Sequence, residues 1–375
     1  MPVTTYRYTR NAERYAKSLA RSRFRTRRLP GWLPGTQRKI AILTEGDSWF
    51  DYPLKSLSSG IGFVLRFFTG LQGFDATSKT NVIDCLVSDS SLNSTTLRIE
   101  RSGDHADELS AKTSDKTHGV MEERLPSPTL YAVLKNKDIG QNLDCILLSA
   151  GGNDLINHMR RHVMQDYCGS AEQSIDVHEL RSMAQRVVQH YLNALLYRDE
   201  FAPQAHVICH SYAYPIHLYS GTSFCFDIND IGLILGRLFK LIGHTWTRRA
   251  FATIGVDINE QGQIFTKDDA NLHESFDKKG WPSNPQAVDG KRIGVHAERA
   301  YAIRLMLDVL MEEMSELPEL YRQRTGQDLD RFHYIDLRNE VQKPEYWADF
   351  IHLNDKGCTQ VVKRFLSVIE KLDFA

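Results

Sequence analysis

The sequence predicts an α/β fold, an open parallel sheet of about five strands with helices on both faces, and three observations support it. Five short apolar runs rich in β-branched residues recur along the chain, long stretches of helical periodicity separate them, and unusual polar residues gather just after the runs. Strands joined through long helices pair as parallel βαβ crossovers, and such sheets bind ligands outside the carboxyl ends of their strands.

The elements follow in order. Residues 1–30 carry nine Lys/Arg and one acid, Glu13, a charge of +8 that leaves −9 on the rest of a chain whose formal total is −1. Ala12, Tyr15, Ala16 and Leu19 fall at helical spacing, so this basic N-terminal arm, residues 1–38, can form a weakly amphipathic helix. It either rests on its own acidic body or meets an anionic membrane surface or nucleic acid. The main domain is expected over 39–375. "KIAILTE" (39–45) is the first predicted strand, "GFVLRFFTGL" (62–71) a helix after it, and "VIDCLVS" (82–88) the second predicted strand. Residues 98–140 are polar and loop-like and read as an excursion. "DCILLSA" (144–150) is the third strand, "VHELRSMAQRVVQHYLNALLYRDEF" (177–201) a long helix, and "AHVICHS" (205–211) the fourth strand. Residues 216–295 read as an insertion over the sheet rim. "ERAYAIRLMLDVLMEEMSELPELYRQR" (298–324) is helical and "FHYIDLR" (332–338) the fifth strand.

Bulk properties narrow the class. A chain of 375 residues with 42% hydrophobic content can bury a substantial core. No apolar run approaches the roughly 20 residues that cross a bilayer, and the N-terminus lacks the apolar segment of a secretory signal, so the expected location is cytoplasmic. Six cysteines occur without a Cys-x-x-Cys pair, which spells out neither a zinc ribbon nor a disulfide framework. Cys85, Cys145 and Cys209 sit in apolar runs and are expected to pack as small hydrophobes.

Three signatures stand at predicted strand ends: Gly46-Asp47-Ser48 after the first, "SAGGND" (149–154) after the third, and "WADFIHLNDKG" (347–357) after the fifth. Each alone is a weak signal, and Gly-Asp-Ser and Gly-Asn-Asp are common in turns; together and in this order the three are far more specific. A serine hydroxyl is a poor nucleophile until a base takes its proton, and the usual base is histidine oriented by a carboxylate. Asp349 and His352, three residues apart, place a carboxylate and an imidazole on one side of a turn. Acyl transfer also needs donors aimed at the developing oxyanion, and the Ser48 backbone N–H and the Asn153 side-chain amide are candidates.

With these residues the chain resembles the SGNH hydrolases of the GDSL esterase/lipase family, over residues 40 to 360. The resemblance implies a flavodoxin-like three-layer α/β/α sandwich. It also implies Ser48 as nucleophile, His352 as general base, Asp349 as its orienting acid, Asn153 as oxyanion donor, and no cofactor or metal. After its second strand the family has a glycine whose backbone N–H completes the oxyanion hole. Here the segment at the end of the predicted second strand is "CLVSDSSLNS" (85–94), and Asp89 falls nearest that place, as a backbone donor.

Competing readings fit less well. Ser48 is not in Gly-x-Ser-x-Gly, and "HMRRH" (158–162) has zincin-like spacing without a Glu after the first histidine, so it reads as a surface helix face. Asp47 and Asp154 read as structural carboxylates that cap backbone N–H groups. Trp49, Phe50 and Tyr52 either line an apolar acyl slot or pack helix on sheet, and His210 is either a satisfied rim histidine or a substrate contact. Ile231, Ile234, Leu235, Leu238 and Ile242 form one helical stripe that either packs on the domain or acts as a lid. The expected reaction is hydrolysis of a carboxylic ester, from a lipid or another acyl donor. The alternatives are a carbohydrate O-acetylesterase on the same triad, or an inactive hydrolase fold that binds a partner through its basic arm.

Overall fold

The computed structural model describes residues 3–28, 38–47, 49, 81–100, 105–112, 128–214, 256–258, 264–266, 275–282, 297–343, 346–347 and 353–374. Along the chain these form α1 (Val3–Arg28), β1 (Ile40–Gly46), α2 (Val82–Val87), β2 (Ser94–Arg98), α3 (Asp107–Ser110), α4 (Leu130–Lys135), α5 (Lys137–Gly140) and β3 (Cys145–Ser149). There follow α6 (Gly152–His158), α7 (Val177–Phe201), β4 (His206–His210), β5 (Val256–Ile258), β6 (Ile264–Thr266), α8 (Ala297–Ser315), α9 (Leu317–Thr325), β7 (Phe332–Ile335) and α10 (Asp355–Ile369).

Five strands form one parallel sheet in the order β2-β1-β3-β4-β7, with helices on both sides. This is the flavodoxin-like α/β/α arrangement. β3 is buried at every residue and β1 at all but its first, as central strands covered on both faces must be. Chain order reverses between β1 and β3, since β2 lies on one side of β1 and β3 on the other. The crevice left at that switch point is where ligands enter such sheets.

The helices are built by their apolar stripes. In α7, Leu180, Ala184, Val187, Val188, Tyr191 and Leu195 recur at helical spacing and are buried, and the Asp176 carboxylate caps the first turn by accepting the Glu179 N–H at 2.9 Å. α8 packs along it. α2 and α10 pack together, and Cys85, Cys145, Cys209 and Cys358 are buried among the apolar side chains. α1 puts Tyr15, Leu19 and Ser22 inward, and Tyr15 is only 2% exposed. The helical part of the basic segment is therefore seated in the domain core beside β2.

One predicted strand is corrected. Residues 82–87 of that run form the helix α2, because the Asn81 side chain accepts the Asp84 N–H at 2.7 Å and starts a helical turn. Val82 through Leu86 are all buried, Asp84 included, so burial follows no period that separates strand from helix. The second strand is instead Ser94–Arg98, an edge strand paired only with β1 in this sheet.

The described parts of the two insertions contain α3, α4 and α5 in the first, and the antiparallel pair β5 and β6 in the second. Residues 275–282 of the second bury Phe276 and Trp281, and the Arg299 guanidinium ties them to α8 through Asp277 and the Trp281 and Pro282 carbonyls. The stripe from Ile231 to Ile242 lies outside the described residues. Among the described residues no helix is long and apolar enough to cross a membrane.

Candidate active site

β1 ends at Gly46, whose φ of 153° and contact with β3 both demand glycine: a Cβ there would lie 2.3 Å from the Ser149 carbonyl oxygen. This close approach locks the turn after β1 onto the end of β3. The next residue completes the lock. Asp47, 2% exposed, donates its N–H to Ser149 O at 2.8 Å, and its carboxylate accepts the Ser149 hydroxyl at 2.9 Å and the Trp49 N–H at 3.1 Å. The other carboxylate oxygen accepts the Tyr212 hydroxyl. Asp47 is therefore a turn-capping carboxylate, with partners on three different strand ends.

The Tyr212 oxygen in turn accepts the Gly152 N–H at 3.1 Å. It so joins the turn that flanks Ser48 to the first residue of α6. α6 starts after Gly151, whose φ is 109°, and Asn153 stands second in the helix, 8% exposed, at the carboxyl ends of the strands. Asp154 beside it accepts the Ala106 N–H at 2.8 Å and lies 3.2 Å from His105 Nδ1. The segment that follows β2 is thereby tied to the helix that carries Asn153.

Ser48, Asp349 and His352 lie outside the described residues, as do Phe50 and Tyr52; the residues that bracket the first three are described. Trp347 and Leu353 pair across an isolated antiparallel bridge. The Asn354 N–H donates to Tyr346 O at 3.0 Å, and the Asn354 side chain caps α10 by accepting the Lys356 and Gly357 N–H groups. Trp347 and Trp49 meet edge to face with ring centroids 6.5 Å apart. The chain beside Ser48 thus touches the chain beside Asp349.

Trp49 is the centre of an aromatic cluster. It stacks on His210 at 5.6 Å and meets Tyr212 edge-on at 5.3 Å, and His210 also packs against Phe365 of α10. His210 is buried, and its Nδ1 lies 2.8 Å from the Ser211 carbonyl, which accepts its proton. Burial pushes its pKa down to about 4, against the opposing pull of that hydrogen bond, so it stays neutral near neutral pH. Burial, and then the adjacent Asp47 carboxylate, hold the Tyr212 hydroxyl well above its ordinary range, so it remains a donor.

Asp89 does not join these residues. α2 begins beside Trp49, where Val82 N donates to Trp49 O at 3.1 Å, and runs back across the sheet before Asp89. Asp89 precedes β2 and lies at the amino ends of the strands, close to where Asn93 O accepts the Ile40 N–H at 2.9 Å. Its carboxylate accepts the Ser91 N–H at 2.9 Å and the Ser91 hydroxyl at 2.7 Å, an ordinary turn cap. Its assignment as oxyanion donor followed from the misplaced second strand. With β2 at Ser94–Arg98, the segment after the strand is "IERSGDHADEL" (99–109), which contains Gly103. Gly103 lies outside the described residues. A small residue followed by a short helix start would have pointed to it.

His158 ends α6 and His162 lies in the turn after it, with rings 4.8 Å apart, and His158 Nε2 lies 2.7 Å from the Glu179 carboxylate. Among the described residues no group of three or more metal-ligating side chains converges.

No protein-family model matches the sequence, and no curated protein sequence matches it. Among solved structures the chain is similar to an extracellular lipase from Streptomyces rimosus, with 11% identity, 88% of this chain and 99% of that chain covered, and a TM-score of 0.40. It is also similar to a phospholipase A1 from Streptomyces albidoflavus, with 13% identity, 79% and 78% covered, and a TM-score of 0.32.

Proposed function

We propose that the chain is a serine ester hydrolase of the SGNH kind. The observation that supports this reading best is the convergence at the sheet's switch point. Asp47 bonds to the ends of β1 and β3 and to Tyr212 after β4, while Trp49 packs on Trp347, so all three signatures have described neighbours in mutual contact.

Ser48 attacks the ester carbonyl as His352 takes its proton, with Asp349 orienting the imidazole. The tetrahedral oxyanion is held by the Ser48 N–H and the Asn153 amide. The third donor belongs to the segment after β2, where Gly103 takes the place first sought at Asp89. Collapse of the intermediate releases the alcohol, protonated by His352, and leaves an acyl-enzyme. Water activated by His352 then hydrolyses the acyl-enzyme. Trp49 backs the acyl slot from beside the nucleophile, with His210 stacked behind it. The substrate is a lipid or other acyl ester.

A fluorophosphonate probe, which phosphonylates only activated serines, tests this directly. Peptide mapping should find the adduct on Ser48. Labelling of another residue, or none of folded protein, would overturn the reading.

A further inference from the structure

We propose that the outward face of α1 is a docking surface for an anionic lipid bilayer. The helix is held in one orientation by its inner face. Tyr15, Leu19 and Ser22 are buried, Lys39 N donates to Ser22 Oγ at 2.9 Å, and the Arg23 guanidinium donates to Asn142 Oδ1. At about 100° per residue, Arg14, Lys17, Arg21, Phe24 and Arg25 fall within an arc of about 100° on the side away from those buried residues. All five are exposed.

Two features separate this face from an ordinary solvated one. None of its four cations has an ion-pair partner among the described residues, and one acid, Glu13, borders the arc. Phe24 is 63% exposed at the edge of the arc, near the end of the row at Arg25, the largest exposure among the large apolar side chains described. A benzyl ring flanked by arginines suits an interface where the ring enters the acyl boundary and the guanidinium groups stay with lipid phosphates. The row from Arg14 to Arg25 runs about 16 Å along a straight helix. A plane touches all of it at once, whereas a nucleic-acid duplex would leave the ring against phosphates.

The surface is separate from the proposed catalytic machinery. Lys39 precedes β1 and Asn142 precedes β3, so the later half of α1 lies at the amino ends of the strands, opposite Asn153. Docking and hydrolysis therefore fail or stand independently.

The experiment is co-sedimentation of the full chain with phosphatidylcholine vesicles, with and without phosphatidylglycerol, at low and high salt. Binding is expected only with phosphatidylglycerol, falling steeply as salt screens the charges. Replacement of Arg14, Lys17, Arg21 and Arg25 by Gln should weaken it by about fivefold per cation, roughly several hundredfold in all. Phe24→Ser should weaken it by about tenfold while the salt dependence persists. Both variants should keep the parent's melting temperature and its turnover of a soluble ester. The proposal is overturned by any of three results: no binding to phosphatidylglycerol vesicles, equal binding to pure phosphatidylcholine, or tighter binding to an oligonucleotide duplex than to the anionic vesicles. The first two need no variant.

Discussion

β1 and β3 are joined at both ends by a buried aspartate, and the two joints differ in kind. At the carboxyl ends, Asp47 accepts the Trp49 N–H and the hydroxyls of Ser149 and Tyr212. At the amino ends, Asp144 accepts the Ala41 N–H at 2.8 Å and pairs with the Arg38 guanidinium at 2.6 Å. Burial raises the Asp144 pKa, while Ala41 and Arg38 pull it down. Neutral hydroxyls with fixed directions set the orientation of a turn, whereas a guanidinium chiefly offsets the desolvation of a charge. The carboxyl-end joint is therefore expected to be read in kcat and the amino-end joint in stability.

The largest effect should come from the proposed triad. Ser48→Ala and His352→Ala should each lower kcat/KM by roughly 10⁴-fold or more, with unchanged melting temperature, and the double variant should be little worse because the two act as one unit. Multiplicative losses would break the assignment of both to one step.

Next in size is the pair that tests the comparison itself. Asn153→Ala should lower kcat by about 10²–10³-fold with little change in KM, since an oxyanion donor acts mainly in the transition state. Asp144→Ala should show the mirror image. Its loss leaves the Ala41 N–H unsatisfied and should cost about 2 kcal/mol in denaturant unfolding, with kcat unchanged. A fall in kcat for Asp144→Ala comparable to that for Asn153→Ala would erase the distinction between the two ends.

Much of this frame was legible, and the exceptions have physical causes. β1, β3 and β4 are short runs of buried apolar residues, which a sheet covered on both faces requires, so their positions could be read within a residue or two. β2 could not, because its five residues are Ser, Thr, Thr, Leu and Arg on an edge strand, with alternate residues only partly buried. α2 hid as a strand because five of its six residues are apolar, partly β-branched, and carry no usable period; the Asn81 cap with Asp84 three residues on was the overlooked sign. Asp47 was legible as a turn cap, and the Trp49 N–H is one of the groups it accepts. Its bonds to Ser149 and Tyr212 span 102 and 165 residues, and nothing local announces them. His210 stands at the end of its strand as read. Its burial comes from Trp49 and Phe365, which no local pattern links to it.

His210 also supplies a pH test of the same end. Its folded pKa of about 4 lies below the ordinary value near 6.5, so between these the unfolded chain binds more protons. Stability from its neutral, stacked form is full above about pH 6.5 and is lost as pH falls towards 4, up to about 3 kcal/mol in total. His210→Phe should flatten the acid limb of unfolding free energy against pH. An unchanged slope would show that other groups set acid stability.

The smallest effect is expected at Asp89, where the two ends of the sheet can be told apart by a single substitution. Its carboxylate caps Ser91 in a turn at the amino ends of the strands, remote from Asn153 and from the turn after β1. Asp89→Ala removes that cap but leaves the backbone N–H and every bond of Asp47 in place. Losing a partly exposed turn cap typically costs about 1 kcal/mol. Unfolding should therefore be slightly easier, and kcat and KM should match the parent within about twofold. Asn153→Ala measured alongside provides the scale, because both variants truncate one polar side chain and differ in which end of the sheet they touch. A kcat loss at Asp89 approaching that at Asn153, in folded protein, would mean that the segment after α2 reaches the reacting ester. The donor now sought after β2 would then have to be returned to Asp89.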